Sequence, residues 1–130
     1  MAPPVRLVVA GYVLGLLVGT VAHVGDLLSH GFFAHRAFAP PWLDLYWSSL
    51  AVLDSLAAVL LLRGRVGGVD LACAIVVTDL AANAYAVHGL QGAALQDAPG
   101  LQRLWVFGLF VLATAPWLRR RLSPAGARPA

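Results

Sequence analysis

Apolar residues run along this chain in four long blocks rather than in short amphipathic stretches. The blocks cover roughly Leu7 to Leu28, Leu43 to Leu62, Val66 to His88 and Leu101 to Leu118. Each is close to the ~20 residues a helix needs to cross a hydrocarbon layer. Turn chemistry separates them: Ala39-Pro40-Pro41, then Arg63-Gly64-Arg65-Val66-Gly67-Gly68, then Asp97-Ala98-Pro99-Gly100. A backbone without water must satisfy its N–H and C=O groups within the segment, so each block predicts a helix. A membrane barrel would need alternating polarity, which is absent. The predicted fold is all-α: a polytopic membrane four-helix bundle forming one transmembrane domain over residues 1–130.

Composition agrees with this. The 130 residues are 60% hydrophobic and 12% charged, too apolar for a water-soluble domain of this size. Four spans leave no room for a separate soluble catalytic or dinucleotide-binding domain. All nine basic residues are Arg and all six acids are Asp. With a cytoplasmic N-terminus, Arg6, Arg63, Arg65, Arg119, Arg120, Arg121 and Arg128 lie inside, and only Arg36 and Arg103 lie outside. That asymmetry predicts both termini in the cytoplasm and a multi-pass protein of the cell membrane. The same Arg residues carry the net charge of +3, so the basicity reads as topology and no nucleic-acid partner is expected. The first block exceeds the ~7 to 15 apolar residues of a signal peptide and no clear cleavage site follows, so it is read as a retained span. Met1 to Pro4 and Ser123 to Ala130 are expected to be disordered. Gly31 to Pro41 reads as an interfacial loop with its aromatics at headgroup level. His30, His35 and His88, near span ends, read as interfacial too, and Trp42, Tyr46, Trp47, Trp105 and Trp117 mostly as belt residues, although Trp47 shares a face with Asp54. Cys73 is the one cysteine and reads as structural.

The ionisable residues within the spans carry the chemistry. A carboxylate at a span centre costs about 2.5–3.5 kcal/mol on insertion scales, so its presence points to function, a wet cavity or protonation. His23, Asp26 and His30 fall at i, i+3 and i+7, on one face of the first helix. Asp54 lies near the middle of the second, sharing a face with Trp47 and Leu50. Asp79 and Asn83 fall at i, i+4 on the third, with Ile75 on the same face. Counted from the hairpin joining the second and third helices, Asp54 and Asp79 differ in level by only about 3 Å. Two carboxylates facing each other there are expected to share one proton. Asp79 with Asn83 would serve equally as interhelical packing glue. His23 and His30 are about 10 Å apart along the axis, too far for one ion, so no metal and no cofactor are expected.

An acid and a His late in the first span, Pro40-Pro41-Trp42 opening the second, and Asp54 in its middle make the chain similar to the EXPERA superfamily, which includes the emopamil-binding-protein sterol isomerases and the sigma-2 receptor. The resemblance spans the first two-thirds of the chain. It implies that Asp26 and Asp54 match the acidic pair and that the ligand is lipophilic, sterol-like or an amine. Glu is absent throughout, no Gln follows Asp54, and Asp79/Asn83 has no counterpart in the pattern.

Two classes of function follow. The first is a membrane enzyme doing acid/base chemistry, such as isomerisation, cyclisation or epoxide opening, on a lipophilic small molecule in an outward-facing intramembrane pocket. Asp54 and Asp79 would exchange the proton, Asp26, His23 and Asn83 would orient them, and Trp47, Tyr46, Leu50 and Ile75 would contact the ligand. The second is a small proton-coupled carrier or a lipid- or sterol-binding protein using the same acids. A homodimer is expected on this second reading, packed through the small-residue face of Gly11, Gly15 and Gly19.

Overall fold

The computed structural model describes residues 1–124. Four helices occupy the four apolar blocks: α1 (Pro3–His30), α2 (Pro41–Leu62), α3 (Val66–Ala84) and α4 (Pro99–Leu122). All four are long and apolar enough to cross a membrane, α3 together with the turn that continues it to Leu90. The chain is a multi-pass membrane protein. Its N-terminus is more ordered than expected, because Pro3 and Pro4 belong to α1. Proline suits the first helical turn, where its missing N–H would have no partner. At the other end α4 runs to Leu122 and the Ser123 hydroxyl donates to the Arg119 carbonyl at 2.8 Å. Residues 125–130 of the tail expected to be disordered lie outside the described residues.

Successive helices are antiparallel neighbours. The termini and the short α2–α3 hairpin share one end of the bundle, the terminal end. The α1–α2 and α3–α4 connections share the other, the loop end. In lipid the tails compete equally for apolar surface, so helices hold together through close packing and a few hydrogen bonds. Gly68 permits the closest approach in the hairpin: a Cβ there would sit 2.8 Å from the Leu61 backbone nitrogen. Gly68→Ala is therefore expected to destabilise the bundle by about 1–3 kcal/mol, which thermal unfolding in detergent would measure. Unchanged stability would show that the hairpin relaxes freely.

The terminal half is closed. Tyr12, Leu16, Leu61, Val69, Val111 and Leu118 are all fully buried there. The Tyr12 hydroxyl donates to the Val111 carbonyl at 2.7 Å and lies 2.9 Å from the Thr114 hydroxyl, which ties α1 to α4. The Tyr12 ring meets Phe110 edge-on at 5.4 Å. An exposed Asp70–Arg119 ion pair at 2.8 Å joins α3 and α4, a contact of small energetic weight.

The glycine stripe of α1, expected to offer a dimer surface, seats neighbours within the chain. Side chains at Gly11 and Gly15 would collide with the rings of Phe110 and Phe107, and one at Gly19 with the Asp54 carboxylate. Small residues here seat two phenylalanine rings and one carboxylate of the same bundle.

At the loop end α3 widens into a π turn, Tyr85–Leu90, a feature often found beside functional sites. The Gln91 N–H reaches back to the Ala86 carbonyl at 2.9 Å and the Ala93 N–H to Val87 at 2.8 Å. Gly92, at φ 62°, takes the left-handed conformation this closure requires.

Candidate functional site

Asp44 stands in the first turn of α2 and is 2% exposed. The helix N-terminus favours a carboxylate there. Its oxygens accept the His35 backbone N–H at 3.1 and 3.2 Å, and its Oδ1 lies 2.9 Å from His35 Nδ1. The α1–α2 loop is thereby folded back onto the bundle. His35 has its ring turned against Trp47 (4.9 Å) and Phe38 (5.8 Å). With Nδ1–H donating to Asp44, Nε2 is left as the working nitrogen. It points to Asp26 Oδ2, 3.7 Å away. A small cavity of about 10 Å³, bordered by His23, Asp26, His35 and Asp44, has room for one water beside this pair.

A cavity of about 580 Å³ opens next to this array, between α1, α3 and α4, within the size range of small-molecule sites. His23, Asp26 and His35 border it on one side, Asp79 and Asn83 on another, and Arg103 on a third. Val18, Ala22, Phe38, Trp47, Val87 and Leu104 supply apolar wall. Phe107, seated on Gly15, separates it from the closed terminal half. The Asp79 carboxylate accepts the Asn83 amide at 2.7 Å, and that amide also donates to the Asp79 carbonyl at 2.9 Å. The Trp47 side chain adjoins the same carboxylate. Asn83 thus fixes one carboxylate oxygen of Asp79 on the cavity wall.

Five of the residues singled out from sequence, His23, Asp26, Trp47, Asp79 and Asn83, line one cavity. The others stand elsewhere. Asp54 is buried at 4% exposure, with its carboxylate against Gly19. It is within electrostatic range of Asp79, but no direct hydrogen bond joins the two. Leu50 and Ile75 are packed in the core, because a helix face wide enough to hold an acid also serves its neighbours. Tyr46 is engaged with the Thr78 hydroxyl at 2.5 Å on the α2–α3 contact. His30 is exposed at the end of α1. Among the described residues no group of three or more His, Cys or Asp side chains is placed to hold a metal ion.

The residues missed from sequence are Asp44 and His35. Their one local signal was an acid in the first turn after Pro40-Pro41, a position that attracts N–H donors from the preceding loop. Compared with known proteins, the chain matches no family model, no curated protein and no solved structure.

Proposed function

We propose that this protein is a membrane enzyme that moves protons on a lipophilic small molecule held in the 580 Å³ cavity. The observation that carries this reading is the Asp44–His35–Asp26 array opening onto the same apolar-walled space as the Asp79–Asn83 pair. Asp44 orients His35, so that Nε2 can take or deliver a proton with Asp26 as its partner. Asp79, across the cavity, supplies the second proton-handling group. Two such groups flanking an apolar substrate serve isomerisation, cyclisation or epoxide opening, where one site protonates and another deprotonates. Trp47 and Phe38 would face a developing positive charge. The EXPERA resemblance points to the same substrate class, sterol-like or a lipophilic amine, with Asp26 as its matched acid at the cavity. On the Arg asymmetry, the loop end and the cavity face the outside of the cell membrane.

A carrier would need a polar path through the terminal half, and the packing of Tyr12, Leu16, Val111 and Leu118 there favours the enzyme. The test is native mass spectrometry of the gently purified full chain. The wild type is expected to retain an apolar small molecule, and Ala22→Trp, which fills the cavity from a lipid-exposed position, is expected to lose it. Equal retention by both would place the bound molecule elsewhere and overturn this reading.

A further inference from the structure

A second concavity, a groove of about 570 Å³, runs along the seam between α1 and α4. Gly11, Val106, Phe107 and Phe110 line its length, and Arg103 and Gln102 stand at its loop end. From Arg103 to Phe110 the groove follows α4 for about 10 Å at 1.5 Å per residue. It exists because α1 carries glycine where α4 carries phenylalanine, so the two backbones are bridged by rings rather than by a continuous ridge.

Arg103 is an anomaly in this setting. It is exposed and has neither an ion-pair nor a hydrogen-bond partner among the described residues. It lies one turn into α4, where the free N–H groups of the helix start create positive potential, and the first turn of α4 holds no acid to offset it. Its place near the end of the span is about headgroup level. Gln102 does not serve as its partner, since its amide donates to the Leu95 and Gln96 carbonyls at 2.9 and 3.3 Å and ties down the α3–α4 connection. An apolar channel ending in an unpaired guanidinium at headgroup depth matches one molecule in shape and charge: a phospholipid with an anionic head.

We infer that the α1–α4 groove binds one anionic phospholipid, with an acyl chain laid over Gly11 and Phe110 and its phosphate paired with Arg103. Phe107 borders both the groove and the interior cavity, so the bound chain lies against the wall of the cavity without entering it. The guanidinium is well suited to the role because its planar fork takes two phosphate oxygens at once.

The test uses the full chain in nanodiscs of equal phosphatidylglycerol and phosphatidylcholine, with native mass spectrometry of lipids retained after stripping. The wild type is expected to keep one phosphatidylglycerol in roughly fivefold preference over phosphatidylcholine. Arg103→Gln is expected to abolish the preference, Arg103→Lys to keep part of it, and Arg120→Gln, at the other end of α4, to leave it unchanged. Val106→Trp fills the groove from a position 72% exposed, without disturbing the core, and is expected to lose retention of either lipid. Equal retention of the two lipids by the wild type, or an undiminished preference in Arg103→Gln, would overturn the inference. So would competition by soluble glycerol phosphate, because the head alone would then suffice. Arg103 borders the interior cavity as well, so Val106→Trp, at a position that lines the groove alone, is the variant that separates the two sites.

Discussion

An Asp44→Ala chain is expected to lose about 2–3 kcal/mol of stability, the worth of a buried charge-assisted hydrogen-bond set, and to release the α1–α2 loop. The carboxylate is 2% exposed and takes both the backbone N–H and the ring of His35. Alanine leaves that N–H with no acceptor and frees the ring to rotate. Trp47, which meets the His35 ring at 4.9 Å, reports the change. Its fluorescence should shift as the ring departs, and the thermal midpoint in detergent should fall. Asp44→Asn separates orientation from stability, because the amide keeps the shape and one acceptor but not the charge. It should hold much of the stability while disturbing the His35 tautomer, visible in the nitrogen shifts of a histidine-labelled sample. A wild-type midpoint and an unmoved fluorescence spectrum in Asp44→Ala would show that the loop is held by something else.

The second large effect concerns Asp79. If it exchanges a proton with the substrate, Asp79→Asn should lower turnover of the co-purified molecule by about 10²- to 10⁴-fold, the usual worth of a general acid or base, while the fold stays intact. His35→Gln should act to a similar degree, and Asp26→Asn less, since Asp26 is partly exposed and acts through His35. Asp54 should behave differently. It lies outside the cavity against Gly19 and has no hydrogen-bond partner among the described residues. Replacing a carboxyl group buried in a span with the isosteric Leu is expected to raise stability by about 1–2 kcal/mol and to preserve most of the turnover. Unimpaired turnover in Asp79→Asn would end the proton-transfer role. A lowered thermal midpoint in Asp54→Leu would show that this acid holds the bundle together.

Much of this architecture is legible in the residues, for reasons that also mark where legibility stops. The four helices follow from segment length and the need of a dry backbone to bond to itself; the structure lengthens α1, α2 and α4 by a few residues, as with Pro3 and Pro4 at the start of α1, and ends α3 at Ala84, where the π turn takes over to Leu90. Asp79 and Asn83 were found together because four residues make about one helical turn, and they do share a hydrogen bond. His35 and Asp44 escaped that arithmetic. They are nine residues apart across a loop and a helix start, and no period relates positions on the two sides of a turn. Asp54 and Asp79 were matched in level by counting from the hairpin, but level leaves rotation open. Asp54 turns toward Gly19 of α1, while Asp79 turns toward the cavity. Trp47 looked as much like a belt residue as a cavity wall, and its inward role depends on His35, whose own position had to be known first.

The π turn at the end of α3 has a bearing on how this site can change over generations. Such a turn holds one residue more than an α-helical turn needs, so the stretch Tyr85–Leu90 carries a spare position. Deleting one codon within it would let the helix close into regular α geometry without breaking the span below. Because the wide turn absorbs that residue locally, everything beyond would keep its facing about the axis, and Gln91, on the cavity rim, would stay turned to the same side with the connection to α4. The rim of the cavity can thus be shortened by a single in-frame deletion without being re-aimed, while the membrane-spanning packing from Val66 to Ala84 is inherited unaltered.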